Sequence, residues 1–164
     1  MANETKNLRD GQLVVKDGHG TPKTLTVLFV QGDLTWTESK DNKIVFNRGS
    51  IHHARNGNDV PMTMSFSAGW VQLIGKNVSA AESTQLYEML TDYGTSIYTT
   101  TGGTCEPYQL TFEFTVDDSC GTKDEKITFA KMMTDSVTCS EGDEMNRISY
   151  SGTSLNTKPT IVRV

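Results

Sequence analysis

No run of apolar residues in this chain approaches the roughly 20 that a membrane-spanning helix needs, and Met1 to Gln12 are polar and charged, without the apolar stretch of a secretory leader. The expectation is a soluble chain made in the cytoplasm, with no membrane partner. Positive charge is scarce too: 15 Lys and Arg against 20 Asp and Glu give a formal charge of -5, and no basic patch occurs. Gripping nucleic acid through its phosphates needs clustered Lys and Arg, so that class of function is not expected.

Cysteine is nearly absent, with three residues in an odd count. Cys105 and Cys120 bracket an expected strand, Tyr108 to Asp117. An extended path at about 3.3 Å per residue holds them on the order of 40 Å apart, far beyond the about 7 Å at which a disulfide fails. Reduced thiols are expected. There is no Cys-x-x-Cys, and His52 beside His53 lacks the spacing of ligands that share one face, so no metal site is expected. The carboxylates Asp117, Asp118, Asp124 and Glu125 gather about one turn and read as a solvated hairpin tip rather than a calcium loop. Gly-x-Ser-x-Gly, a phosphate-cradling Gly-rich loop before a helix, and His-Glu-x-x-His are all missing. Neither enzymatic activity nor a cofactor is expected.

What the chain does have is alternation. Met62, Met64, Phe66, Ala68 and Trp70 alternate with Thr63, Ser65, Ser67 and Gly69, the pattern of a half-buried antiparallel strand. Tyr108, Leu110, Phe112, Phe114 and Val116 repeat it. Further strands are expected at Leu13 to Lys16, at Lys43 to Arg48 with Ile44 and Phe46 inward, and at Glu125 to Met133 with Ile127, Phe129 and Met133 inward. Thr160 to Val164 closes the chain as another. Lys23 to Gln31 and Asp33 to Ser39 read as a hairpin about Gly32, and Ser136 to Glu141 with Asn146 to Gly152 as a last one. The one helix is expected at Ala80 to Tyr93, where Leu86, Met89, Leu90 and Tyr93 form an apolar stripe. Ser79 with Glu82 marks its start and Gly94 its stop.

These elements define a mainly β chain: an antiparallel β-sandwich or barrel of roughly seven to nine strands with one flanking α-helix. Its single domain is expected at 13–164, after a flexible arm at 1–12. The longest irregular polar stretch, Gly49 to Pro61, exceeds the usual loop length and reads as a docking loop or a solvated one. The outward strand positions are dominated by small hydroxyls such as Thr35, Ser65, Ser67 and Ser149.

The order of features resembles the tail tube proteins of long-tailed bacteriophages. It is carried by Asp17-Gly18, Gly32-Asp33-Leu34, Arg48-Gly49-Ser50 opening a long loop, Leu86-Tyr87-Glu88, Ile127-Thr128-Phe129 and Ser140-Glu141-Gly142-Asp143, spread over nearly the whole chain. The resemblance implies a structural virion protein, similar in fold to the type VI secretion ring protein, that assembles six to a ring. Its rings stack into a hollow tube through which DNA passes without specific binding. Partners implied are further copies of itself, the tape measure and the terminator. Under it, Arg48, His52, His53, Arg55 and Asp59 are candidates for contact between rings, and Gln109, Glu113 and Asp117 for lining the lumen. The three cysteines and the paired histidines match no family role. Two alternatives stand beside it: a monomeric β-sandwich that binds a ligand or receptor, and a tail terminator or joint ring that does not polymerise. Trp36 and Trp70 fall on core-facing positions, which counts against the first.

Overall fold

A computed structural model of the protein describes residues 11–18, 22–27, 33–70, 73, 85–93, 107–116, 124–142 and 145–163. They form ten strands and one helix: β1 (Gly11–Asp17), β2 (Thr24–Val27), β3 (Thr35–Thr37), β4 (Asn42–Asn47), β5 (Ser50–Asn56), β6 (Thr63–Gly69), α1 (Leu86–Thr91), β7 (Leu110–Val116), β8 (Glu125–Ser140), β9 (Arg147–Ser154) and β10 (Thr160–Arg163). Every strand pair is antiparallel. The expected mainly β fold with a single helix is the one observed. Gly11 and Gln12, expected in the arm, begin β1; the rest of the arm lies outside the described residues.

One large sheet runs β2-β1-β7-β8-β9-β6-β3, with β10 also paired to β8. Its organiser is the sixteen-residue β8. The first part of that strand pairs with β7 on one edge and β10 on the other, while the later part pairs with β9. Two irregularities let one strand serve both neighbourhoods: a shift against β7 opposite Leu110 and Phe112, beside Lys131 at φ 55°, and a second against β9 between Thr134 and Ser136. Such bulges bend a strand and increase its twist. The sheet therefore divides at β8 into a five-stranded half, β2-β1-β7-β8-β10, and a four-stranded half, β8-β9-β6-β3.

The halves face each other across the core. Phe66 of β6 lies 5.6 Å, centroid to centroid, from Phe112 of β7, Tyr150 of β9 lies 5.0 Å from Phe112, and Trp36 of β3 meets Phe129 of β8 edge-on at 5.6 Å. These separations lie in the favourable range for aromatic pairs. Leu13, Val15, Met64, Leu110, Phe114 and Ile148 fill the rest, each at most 2% exposed. The alternation of Met62 to Ala68 and of Leu110 to Val116 is thus the inward face of β6 and β7. Trp70 is half-buried against this core, whereas Trp36, although it touches Phe129, remains 38% exposed at the rim.

Several expectations change. The segment read as a hairpin about Gly32 is split: β2 pairs with β1 and β3 with β6, at opposite ends of the sheet. Alternation reports which face is buried and says nothing of which strand lies alongside. Ser136 to Ser140 continues the strand begun at Glu125, and within it Met132, not Met133, is the buried residue. The reason is Lys131, whose left-handed backbone moves the alternation on by one residue.

The helix keeps its stripe in part. Leu86, Met89 and Leu90 are buried, while Tyr93 is 52% exposed. The backbone N–H of Gln85 donates to the Glu88 carboxylate at 3.1 Å, and Asp92 adopts the left-handed stop at φ 53°. Ser79, Glu82 and Gly94, expected in these roles, lie outside the described residues, as do positions 80–84. At the other end, Tyr108 and Thr134 donate hydroxyl hydrogen bonds of 2.9 Å to the carbonyls of Met89 and Leu90, acceptors that a helix terminus otherwise leaves unpaired. They pin α1 beside the bend of β8. No helix among the described residues is long and apolar enough to cross a membrane.

Candidate assembly interface

The polar stretch after Gly49 is not an irregular loop. Ser50 to Asn56 is strand β5, paired with β4 as a separate two-stranded sheet. The chain reverses through Arg48 (φ 49°) and Gly49 (φ 85°), both left-handed, the conformation that matches a tight two-residue turn to the twist of its strands. At the other end Asp41 closes the hairpin. Its carboxylate pairs with Lys43 Nζ at 3.0 Å and accepts the Asn58 N–H at 3.0 Å, while its carbonyl accepts the Gly57 N–H. The hydrogen bond from Lys43, then that from Asn58, holds the Asp41 carboxyl below the usual carboxylate range.

Directly opposed residues of an antiparallel pair share a face. Ile44 opposes Ala54 and Phe46 opposes Ile51, so one face of the hairpin is apolar; Lys43 opposes Arg55 and Val45 opposes His53, so the other carries cations. The apolar face is open: Ile44 is 52% exposed, Phe46 61% and Ile51 70%. Ile44 and Phe46, expected to point inward, therefore contribute nothing to the core. The alternation was real, but its apolar side has no sheet beneath it.

Four of the five residues expected between rings, Arg48, His52, His53 and Arg55, lie together on this hairpin, and Asp59 lines an open polar cleft of about 270 Å³ at its base. His52 is the extra residue of a bulge opposite Val45 and Phe46, and its Nδ1 lies 2.7 Å from Nδ1 of His53. Of those two nitrogens one donates and the other accepts.

The residues expected along a lumen are placed differently. Gln109 is half-buried just before β7, and Asp117 lies outside the described residues. Glu113, on the outer face of the five-stranded half, is held between Lys16 at 2.7 Å and Lys126 at 2.8 Å. Burial alone would raise its pKa, but hydrogen bonds from Lys126 and Lys16, together with their charges, outweigh that and hold the carboxyl below its ordinary value.

The small hydroxyls form a second surface. On the outer face of the four-stranded half, Thr35, Ser65, Ser151 and Ser136 lie in one row across four strands, and Ser67, Ser149 and Thr138 in the next. Thr35 and Ser65 hydroxyls share a hydrogen bond of 2.7 Å, and Ser67 and Ser149 one of 3.2 Å. Among the described residues no group of three or more His, Cys, Asp or Glu side chains is arranged to hold a metal ion. Cys139 of β8 is an exposed free thiol, and Cys105, Cys120 and His19 lie outside the described residues.

What these surfaces define, among the described residues, is a bent antiparallel sheet with one pinned helix and a hairpin that stands clear of the core. A chain in the cryo-electron-microscopy structure of the anti-feeding prophage (AFP) baseplate, 6-fold symmetrised, has the same fold: the TM-score is 0.53 at 6% identity, over 99% of this chain and 97% of that one. At that identity the likeness is one of fold. No protein-family model matches the sequence, and no curated protein matches it.

Proposed function

We propose that this chain is a structural subunit of a phage-tail-like assembly, whose copies close into rings, six to a ring, that stack into a hollow tube. The observation that carries the proposal is the fold likeness to a chain of a six-fold baseplate, which spans nearly the full length of both molecules. The hairpin supports it. An isolated two-stranded hairpin is marginal in water, and exposed apolar faces of this kind mark contact surfaces. Docking β4–β5 against a copy in the adjoining ring would cover Ile44, Phe46 and Ile51 and bring Arg48, His52, His53, Arg55 and Asp59 to the boundary. On this reading the chain catalyses nothing, works in the virion tail, and meets the tape measure and terminator as neighbours. DNA passes without being held.

A second reading has its own support. The similar chain belongs to a baseplate, which favours a ring at the end of a tail that does not polymerise into a tube. Replacing Ile44 and Phe46 together with Ser separates the cases. For a tube subunit the variant folds, closes into single rings and no longer stacks; tubes as long as those of the unsubstituted chain would reject the hairpin as the contact between rings.

A further inference from the structure

Consecutive residues of a regular strand point to opposite faces, and adjacent histidines on such a strand cannot hold one ion. The bulge in β5 removes that bar. With Val45 opposite His53 and Phe46 opposite Ile51, His52 is the extra residue, and a bulge re-aims a side chain in this way. The two rings meet edge to face, 5.0 Å between centroids and 78° between planes, with Nδ1 of one 2.7 Å from Nδ1 of the other. Both residues are exposed. Two imidazole nitrogens thus converge on one point that solvent reaches.

The geometry discriminates between ions. An imidazole nitrogen stands about 2.0–2.1 Å from a bound divalent ion, so two of them lie about 3.3 Å apart at a tetrahedral angle and about 2.9 Å apart at a right angle. The observed 2.7 Å is nearer the second, the angle of the tetragonal arrangement that Cu2+ and Ni2+ adopt with nitrogen donors. Cu2+ also heads the divalent series in affinity for such sites. Lys43 and Arg55 oppose each other on the same face and repel any cation, although the Asp41 carboxylate, 3.0 Å from Lys43 Nζ, offsets the first. That repulsion disfavours Ca2+ and Mg2+, which are held by several oxygens that these rings do not supply.

We infer that His52 and His53 form a bidentate surface site for a tetragonal divalent ion, Cu2+ above all, each ring binding through Nδ1. The hydrogen shared between the two nitrogens leaves as the ion enters. Among the described residues no group of three or more His, Cys, Asp or Glu is arranged about an ion, so water fills the remaining positions. Once one ring holds the ion, the second binds it intramolecularly, and the pair holds it more tightly than either ring alone. The site lies on the face of the hairpin away from Ile44 and Phe46, and it stands whether or not rings stack.

Copper binding by the full chain tests the pair. Cys105, Cys120 and Cys139 are first replaced with Ser, because thiolates compete for copper. Titration with Cu2+ alone, followed by calorimetry and electron paramagnetic resonance, should show one ion per chain held by two equatorial nitrogens. His52→Gln or His53→Gln should each weaken binding at least about tenfold and leave a one-nitrogen spectrum. Ile51→His combined with His52→Ser keeps two histidines but sets them on opposite faces of the hairpin, and should bind no better than either single variant. Two-nitrogen binding that survives in a single variant or in the moved pair would overturn the site. So would an affinity no higher than that of the chain carrying both His52→Gln and His53→Gln.

Discussion

Glu113 shows how a single side chain changes meaning once its neighbours are known. In the sequence it stands out as an acid on a polar strand face. In the structure it bridges Lys16 of β1 and Lys126 of β8, so three adjacent strands are tied by one carboxylate whose side chain is 17% exposed. Its folded pKa lies below the unfolded one, so the stabilisation is complete above the unfolded value of about 4.3 and disappears as pH falls through the lower folded value. Glu113→Gln is expected to cost about 0.5–1 kcal/mol in urea unfolding at pH 7, and the gap from the unsubstituted protein should narrow as pH falls below the unfolded value of about 4.3. A gap that did not change with pH would show that the charge pairs contribute nothing specific. Diagonal pairs of this kind depend on strand order, which no local pattern discloses. The same holds for Ser154, a fully buried hydroxyl on an apolar face. It is explained by two partners, the carbonyl of Ala130 at the bulge, to which it donates at 2.8 Å, and the Asn156 N–H, from which it accepts at 2.9 Å.

At the scale of elements, what could be read was periodicity, and it was right where burial follows it. β1, β6 and β7 stand where alternation and turn residues put them, and α1 buries the first three residues of its expected stripe. Alternation failed where something other than burial set the strand. β5, with Ile51, His52 and His53 in succession, has no clean pattern because no core lies beneath it, and only Arg48-Gly49 with apolar residues on both sides signalled a hairpin. Met133 gave way to Met132 because a lysine, not a glycine, holds the left-handed position of the bulge. The helix stop is a similar case, with Asp92 doing what Gly94 was expected to do. Desolvation raises the Asp92 pKa, so its charged form is the disfavoured one, and its destabilising effect grows as pH rises through the folded value. Asp92→Gly removes both that charge from a helix C-terminus and the cost of a left-handed non-glycine residue. It is expected to stabilise the chain by about 0.5–1 kcal/mol at neutral pH, as thermal or urea unfolding would register, and a loss of stability would contradict the geometry of the stop.

For the molecule as a whole, the mainly antiparallel architecture with one helix was legible, whereas strand order was not. β2 and β3 adjoin in sequence and sit at opposite ends of the sheet, because the sheet turns through β8 and folds back on its own core. Among the described residues that turn leaves a hydroxyl-faced sheet whose β3 edge has no strand beyond it and an apolar hairpin clear of the core. On the proposed reading both would be covered in a ring that stacks. Electron microscopy of the purified chain over a concentration series asks the question most directly. Closed rings should appear and give way to hollow filaments as concentration rises; a single compact particle at every concentration would contradict the account.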